Sequence, residues 1–305
     1  MSIVGLIRGK GASGFGYNST AEEVTEGLDL KGKTYLVTGA NSGLGLETTR
    51  VLASRGARIL AAARTAEKAR EATARFGDVR PLECELSSLA SVRACVDTVK
   101  REGVSLDGII CNAGIMALPR LQTTHGLELQ FFTNHIGHFI LVTGLLDTLT
   151  ASGRVVMLSS DLHKSAPDVG IEFDNLSGAK GYNPWKAYGQ SKLANLLFAR
   201  ALARRLKGTG KTANALHPGV IVTNLSRSIP AVARGAMSII SPLVLKSVGQ
   251  GAATQCYVAT NQTLGGVSGE YFADCNVARS SPISYDTDLA ERLWVESERI
   301  VAGLN

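Results

Sequence analysis

The sequence predicts an α/β fold, with a parallel β-sheet and helices packed on both of its faces. Three observations support this fold class. Short runs rich in aliphatic and β-branched residues alternate with helix-periodic segments, as is typical of parallel sheets. Hydrophobic residues make up 45% of the 305 residues and charged residues 19%, which is enough apolar material for a large core. No repeat or linker interrupts the alternation, so we expect one domain over 31–305 after an extension over 1–30.

The first β-α-β unit shows the pattern most clearly. Thr34–Thr38 is a short β-branched run, residues 44–54 have helical spacing that stops at Gly56, and Arg58–Ala63 again resembles a strand. Further strands are predicted at 79–82, Leu106–Cys111, 154–159, 212–216 and 269–272, and further helices at 88–101, 124–150 and 185–207.

Two long stretches, 161–184 and 224–250, show no regular pattern. Loops of this length inside a compact domain usually bind ligands or act as lids. Residues 229–233 and 236–245 are apolar, which favours a lid over a hydrophobic substrate. The same segment could rest on a membrane surface as a peripheral contact, and an ordinary buried helix is the alternative.

The N-terminal extension carries two local signals. Thr20 and Glu23 have the spacing of a capping box, which predicts a short helix after Thr20. Residues 9–14 fit GxGxxG, but no strand precedes them and no helix follows, so we do not interpret them as a phosphate-binding loop. Residues 1–20 contain two basic residues and no acidic one, which is faintly similar to a transit peptide; we favour a mobile Gly/Ser-rich tail.

The composition excludes several classes of protein. The formal net charge is +6, but the basic residues are scattered, so we expect no nucleic-acid partner. Five cysteines without metal-ligand spacing indicate neither a disulfide framework nor a metal site. The first eight residues lack the apolar stretch that is typical of a secretory signal, and no run of 18 apolar residues occurs, so we expect no membrane span. We therefore expect a cytoplasmic protein.

A glycine-rich turn is predicted to bind phosphate. Residues 38–45 read Thr-Gly-Ala-Asn-Ser-Gly-Leu-Gly and lie between the first strand and the first helix. Glycines at this junction let the backbone approach a pyrophosphate, whose charge the free N–H groups of the helix stabilise. A tight turn without a ligand is the alternative.

The end of the second strand indicates which dinucleotide is bound. An acidic residue there would bind the ribose 2′-hydroxyl of NAD, but the sequence is Ala62-Ala63-Arg64. Arg64 could form a bidentate contact with a 2′-phosphate, which favours NADP(H). An ordinary surface charge is the alternative interpretation of Arg64.

Tyr188 and Lys192 are candidates for the chemistry. Their i, i+4 spacing on a predicted helix places phenol and ammonium on one face, where the positive charge would lower the pKa of the phenol. Ser160 follows a predicted strand and could hydrogen-bond a substrate carbonyl. A surface pair is the alternative for Tyr188 and Lys192, and no GxSxG motif supports hydrolysis. The histidines are interpreted as packing or surface residues.

Together these residues resemble the short-chain dehydrogenase/reductase family over roughly 31–300. The motifs that match, in family order, are Thr38-Gly-Ala-Asn-Ser-Gly-Leu-Gly45, Cys111-Asn112-Ala-Gly114, Asn134, Ser160, Tyr188-x-x-x-Lys192 and Pro218-Gly-Val-Ile-Val-Thr223. The resemblance implies a single doubly wound Rossmann domain with a seven-stranded parallel sheet.

The resemblance also implies roles for the site residues. Tyr188 would exchange the proton, Ser160 would polarise the carbonyl, and Lys192 would bind the nicotinamide ribose and tune Tyr188. Asn134 would hold a proton-relay water. The predicted cofactor contacts are Gly39, Asn41, Ser42, Gly43, Leu44, Gly45, Arg64, Glu85, Leu86, Asn112, Ala113, Gly114, Tyr188, Lys192, Pro218, Gly219, Val220 and Thr223. Glu85 stands where the family usually has Asp beside the adenine.

Longer matches, such as 133–139 and 187–195, are similar to the branch that contains retinol dehydrogenases and WW-domain oxidoreductases. Others, such as 250–257 and 266–274, resemble plant members associated with the chloroplast inner-envelope translocon. This resemblance implies a peripheral position at the chloroplast inner envelope as the alternative to the cytoplasm. The resemblance implies an NADP-dependent oxidoreductase acting on the carbonyl or alcohol group of a hydrophobic small molecule, and a homo-oligomer is an open alternative to a monomer. The rival hypotheses are a redox-sensing interaction subunit of a membrane-associated complex and, less favoured, a protochlorophyllide reductase-like enzyme.

Overall fold

The computed structural model describes residues 9–221 and 245–304. Ten strands lie in these residues. Along the chain they are β1 (Thr34–Thr38), β2 (Arg58–Ala63), β3 (Val79–Glu83), β4 (Leu106–Cys111), β5 (Thr123–Thr124), β6 (Leu127–Glu128), β7 (Leu149–Leu158), β8 (Thr212–His217), β9 (Tyr271–Ala273) and β10 (Asn276–Val277).

The main sheet has the strand order β10-β9-β8-β7-β4-β1-β2-β3. The seven strands β9, β8, β7, β4, β1, β2 and β3 are neighbours in that order and all pair in parallel. This arrangement confirms the predicted doubly wound sheet. The strand β10 adds a two-residue antiparallel edge next to β9, so the sheet has eight strands in the described part of the chain rather than the predicted seven.

Nine α-helices surround the sheet in the described residues. They are α1 (Ala21–Val24), α2 (Gly43–Ser54), α3 (Ala66–Thr73), α4 (Leu89–Arg101), α5 (Leu129–Phe131), α6 (Gly137–Leu145), α7 (Pro184–Arg205), α8 (Val248–Thr260) and α9 (Thr287–Gly303). The core on one face of the sheet includes side chains from α4, α6, α7 and α9, and the core on the other face includes side chains from α1, α2 and α8. None of the helices in this part of the chain is both long and apolar enough to cross a bilayer.

The helix predicted at 124–150 is shorter than expected. Its first residues form the β5–β6 hairpin, because His125 and Gly126 both adopt positive φ and turn the chain. Helical structure begins at Leu129, where the Glu128 carboxylate accepts a hydrogen bond from the backbone N–H of Phe131. A π-helical turn over Phe132–Ile136 follows and leads into α6.

Residues 9–20 are packed against the domain, so the prediction of a mobile tail is wrong for them. The Asn276 side chain accepts a hydrogen bond from the Ser13 N–H and donates one to the Phe15 carbonyl. Tyr17 is buried, and the predicted capping box of Thr20 with Glu23 is present at the start of α1. The extension therefore belongs to the folded structure from residue 9 onward.

The strand order changes direction between β1 and β4. The chain builds β1, β2 and β3 toward one edge and then returns to place β4 on the other side of β1. Loops that leave neighbouring strands in opposite directions at such a point open a crevice at the carboxyl edge of the sheet. The turns after β1 and β4 therefore define the place where a ligand can enter.

Candidate functional site

The glycine turn after β1 is built for close backbone packing. Gly39 and Gly43 have φ of +68° and +53°, a region that favours glycine. A Cβ atom on Gly45 would overlap the Gly39 carbonyl oxygen and lie 2.5 Å from Asn112 Nδ2. The turn therefore tolerates no side chain at this junction between β1 and α2.

The N-terminus of α2 is available for an anion. Ser42 is the N-cap residue, and its side chain makes no capping hydrogen bond. The first backbone N–H groups of the helix, from Gly43 to Gly45, have no intrahelical acceptor and carry the positive end of the helix dipole. Asn41 is half-buried beside them, and the Leu44 carbonyl accepts from Gln255 of α8. This cradle fits the pyrophosphate of a dinucleotide.

The residues that are expected to contact the adenosine half of the cofactor follow β2 and β3. Arg64 is exposed directly after β2, and Thr65 caps α3 through its side chain. Leu86 is buried after β3. The Glu85 carboxylate accepts hydrogen bonds from the N–H and the hydroxyl of Ser87 at 3.1 and 2.9 Å. Glu85 is thus held by its own loop, with acceptor capacity left for a ligand.

The turn after β4 joins the glycine turn to the candidate catalytic groups. Asn112 Nδ2 donates to the Thr38 carbonyl at 2.8 Å, and the Ala113 N–H donates to Thr38 Oγ1 at 3.0 Å. A Cβ on Gly114 would lie 3.0 Å from Asn134 Oδ1 and 3.3 Å from Lys192 Nζ. The absent side chain of Gly114 is therefore what lets this turn approach both groups.

Asn134 lies in the π-helical turn and is completely buried. Its Oδ1 accepts from the Ile115 N–H at 2.8 Å, and its Nδ2 donates to the Ile115 carbonyl and to Ser191 Oγ, both at 2.9 Å. Both amide hydrogens are used in these bonds. The side chain therefore fixes the loop after β4 against α7, and its expected contact with a relay water stays a prediction.

Tyr188 and Lys192 lie on one face of α7, as their spacing predicts. Lys192 Nζ is 5.7 Å from the centre of the Tyr188 ring and donates to the Leu158 carbonyl at 3.1 Å. Ser160 follows β7, and its hydroxyl lies near enough to the Tyr188 phenol to lower the pKa of that phenol. The same hydroxyl oxygen accepts from the Leu162 N–H at 3.2 Å. The structure thus brings Ser160, Tyr188 and Lys192 together.

The prediction of a lowered pKa for Tyr188 is wrong for this arrangement. Burial raises the pKa of Tyr188 to about 12, and the neighbouring Ser160 hydroxyl offsets only part of this effect. Burial also lowers the pKa of Lys192 to about 8. Loss of hydration penalises the charged form of each group and is the largest cause of both changes. Tyr188 therefore keeps its proton at neutral pH.

Of the segment after β8, the structure describes Pro218 to Ile221. Gly219 has φ of +96°, and a Cβ there would lie 2.5 Å from Lys246 Cδ. Val220 is exposed, and its carbonyl accepts from the Lys246 N–H at 3.0 Å. Thr223, and the predicted lid as far as residue 244, lie outside the described residues.

Sequence reasoning missed several groups that hold the site together. Ser191 bonds Asn134, the Leu158 carbonyl bonds Lys192, and the buried ammonium of Lys246 pairs with Asp274 at 2.6 Å behind Gly219. A backbone carbonyl leaves no signal in the sequence. No metal-binding cluster occurs in residues 9–221 and 245–304, and all five cysteines are free and buried.

Comparison with known proteins shows which family the chain is similar to. The model of the short chain dehydrogenase family matches residues 33–233. "Short-chain dehydrogenase TIC 32 B, chloroplastic" from Brassica napus is 43% identical over the full length of both chains. Retinol dehydrogenase 14 from Homo sapiens is 40% identical over 90% of this chain and 88% of its own.

Solved structures show the same similarity. An uncharacterised protein from Mycobacterium paratuberculosis superimposes with a TM-score of 0.75 at 34% identity, over 92% of this chain and 97% of its own. The Pseudomonas aeruginosa RhlG/NADP active-site complex gives a TM-score of 0.64 at 25% identity, over 80% and 95%.

Proposed function

The chain belongs to the short-chain dehydrogenase family, and we propose that it is an NADP-dependent oxidoreductase that interconverts the carbonyl and alcohol forms of a hydrophobic small molecule. The observation that carries the proposal is the meeting of Tyr188, Ser160 and Lys192 beside the Gly114 turn. A glycine cradle without these side chains would account for binding alone, and these side chains without the cradle would lack a cofactor.

Each catalytic side chain has a role that fits its contacts. The bound nicotinamide supplies or accepts the hydride. In the direction of reduction, Tyr188 gives its proton to the substrate oxygen, and Ser160 hydrogen-bonds the same oxygen. The ammonium of Lys192 stabilises the phenolate that remains. Because Tyr188 is protonated at neutral pH, it can act as the proton donor when the carbonyl is reduced.

Two observations support the finer assignments. Arg64 is exposed where a 2′-phosphate would lie, and the preceding Ala62 and Ala63 supply no carboxylate to repel it. The retinol dehydrogenase relative and the apolar 229–233 segment both favour a hydrophobic substrate. Contacts of Pro218, Gly219, Val220 and Thr223 with the nicotinamide belong to the same proposal.

The test is the turnover of NADPH with a panel of aldehydes and ketones. Replacing Tyr188 with Phe removes the proton donor and keeps the ring, so we expect kcat to fall at least about 100-fold while NADPH binding is retained. Tyr285→Phe is the control, because Tyr285 is 54% exposed and outside the site. Equal rates for wild type and Tyr188→Phe would remove the catalytic assignment.

A second candidate function is a dinucleotide-binding subunit that reports the NADP redox state to a partner. The full-length similarity to a protein named TIC 32 B, chloroplastic, is the observation that favours it. This function needs the glycine cradle but not the phenol of Tyr188. A Tyr188→Phe variant that loses turnover and keeps NADPH-dependent association with a partner would show that both functions coexist.

A further inference from the structure

A buried histidine joins the turn at Thr38–Gly39 (the cofactor turn) to the segment around Asn134 (the catalytic segment). His138, in the first turn of α6, is completely buried. Its Nδ1 lies 2.9 Å from the Asn134 carbonyl oxygen, and its Nε2 lies 2.9 Å from Thr38 Oγ1. The imidazole thus connects residues from two neighbouring elements, β1 and the π-helical turn.

The partners determine which ring nitrogen carries the hydrogen. A carbonyl oxygen can only accept, so Nδ1 must be the donor to Asn134. In a neutral imidazole Nε2 is then the acceptor, and the Thr38 hydroxyl donates to it. The Ile110 carbonyl lies 3.5 Å from the same hydroxyl, which is a longer and weaker contact.

The ring is neutral for a physical reason. Burial lowers the pKa of His138 to about 4, and the charge of Lys192 acts in the same direction. A single neutral tautomer is therefore kept throughout the pH range in which the reaction would run. A ring that neither charges nor changes tautomer can act as a rigid spacer.

The chain of hydrogen bonds reaches both sides of the site. Thr38 Oγ1 also accepts from the Ala113 N–H, and Gly39 follows Thr38 directly. At the other end, the side chain of Asn134 holds Ile115 and Ser191. Through these contacts the imidazole links the turn that would bind the cofactor to the helix that carries Tyr188 and Lys192.

We propose that His138 is a positioning residue of the reaction, which sets the separation between the cofactor turn at Thr38–Gly39 and the catalytic segment at Asn134. The inference rests on the proposed function. The two ends of the ring have separable effects: the Nε2 bond to Thr38 acts on cofactor binding, and the Nδ1 bond to Asn134 acts on the chemical step.

Two polar replacements divide these effects. His138→Asn keeps a donor near the position of Nδ1, so we expect the KM for NADPH to rise about fivefold with kcat within about twofold of wild type. His138→Gln keeps a polar group near the position of Nε2, so we expect kcat to fall about tenfold with the KM for NADPH little changed. The opposite split, or no split, would overturn the assignment of the two ends.

His135→Leu is the matched control for His138→Leu. His135 is also completely buried and lies one turn earlier, but its Nε2 contacts Ser297 of α9 and not the site. We expect both variants to lower the melting temperature and only His138→Leu to lower kcat, by about tenfold or more. Equal kinetics in the two variants would show that His138 is an ordinary core residue.

A spectroscopic measurement tests the hydrogen-bond chain without any turnover. In wild-type protein with labelled imidazole nitrogens, we expect the nitrogen shifts of His138 to show the Nδ1–H tautomer unchanged between pH 5.5 and 8. Titration of the ring in that range, or the Nε2–H tautomer, would refute the role of His138 as a rigid spacer. Unaltered turnover in Tyr188→Phe would instead refute the proposed function and leave the tautomer result intact.

Discussion

The glycine turn after β1 and the polar groups of Asn134 and Lys192 lie beside the same crevice, but they are held by opposite means. Around Gly39, Gly45 and Gly114 the backbone approaches its neighbours because side chains are absent. Around Asn134 and Lys192 the structure depends on polar side chains that are present, buried and hydrogen-bonded.

This difference determines how each region fails. An added methyl group in the glycine turn collides with backbone, and backbone does not move aside as a flexible side chain does. A removed polar group in the catalytic segment leaves a partner without a hydrogen bond but leaves the packing nearly intact. Substitutions in the first region should therefore damage binding and stability together, and substitutions in the second should separate activity from stability.

The largest effect is expected from Gly45→Ala. The new Cβ would overlap the Gly39 carbonyl oxygen and press on Asn112 Nδ2. We expect a loss of stability of about 2 kcal/mol and a loss of NADPH affinity of at least about 100-fold. Chemical denaturation and a fluorescence titration with NADPH measure the two quantities.

Gly249→Ala is the control for this substitution. Gly249 lies in α8, where a Cβ would meet Glu47 Oε1 at an ordinary 3.5 Å. Alanine is favoured over glycine in a helix, so this variant should be as stable as wild type or slightly more so. Wild-type affinity for NADPH in Gly45→Ala would show that the turn is not the pyrophosphate site.

An intermediate effect is expected from Lys192→Met, and it depends on pH. The pKa of Lys192 is about 8 in the folded chain and about 10.5 as its ordinary value, so between pH 8 and pH 10 the unfolded chain binds more protons. Stability then rises with pH in this window, by about 2 kcal/mol for this group. We expect the free energy of unfolding of wild type, relative to that of Lys192→Met, to increase by that amount between pH 8 and pH 10. Urea denaturation at both pH values measures this difference.

Lys186→Met provides the reference for the pH experiment, since Lys186 is exposed near the N-terminus of the same helix. Its difference from wild type should not change with pH. At neutral pH, Lys192→Met should be inactive and still folded, because methionine avoids the cost of burying an ammonium. A pH-independent difference for Lys192→Met would contradict the lowered pKa.

Features set by local spacing could be predicted from the sequence. The i, i+4 pair of Tyr188 and Lys192, the alternation of strands and helices, and the capping box at Thr20 all depend on residues a few positions apart. The structure places each of them as predicted. Local spacing also locates the glycine turn, because a strand and a helix flank it.

Features set by three-dimensional burial could not be predicted in the same way. The pKa of Tyr188 depends on how completely the folded chain removes water, and the sequence shows only its neighbours along one helix. The packing of residues 9–20 depends on Asn276, and Asn134 in the π-helical turn at Phe132–Ile136 is held by Ser191, so both features involve partners far along the chain. The spacing of His138 four residues after Asn134 is visible in the sequence, but its second partner, Thr38, is 100 residues away.

The smallest effect is expected from Arg64→Ala, which tests the choice of NADP over NAD. Arg64 is exposed, so water and salt weaken its attraction for a phosphate, and we expect the KM for NADPH to rise about tenfold while the KM for NADH is unchanged. Arg70→Ala, on the exposed face of α3 where Arg70 pairs with Glu67, should change neither. Because the contact is electrostatic, the preference of wild type for NADPH should shrink as salt is added, and that of Arg64→Ala should not. An equal rise in both KM values would mean that Arg64 supports the cofactor pocket as a whole and does not recognise the 2′-phosphate.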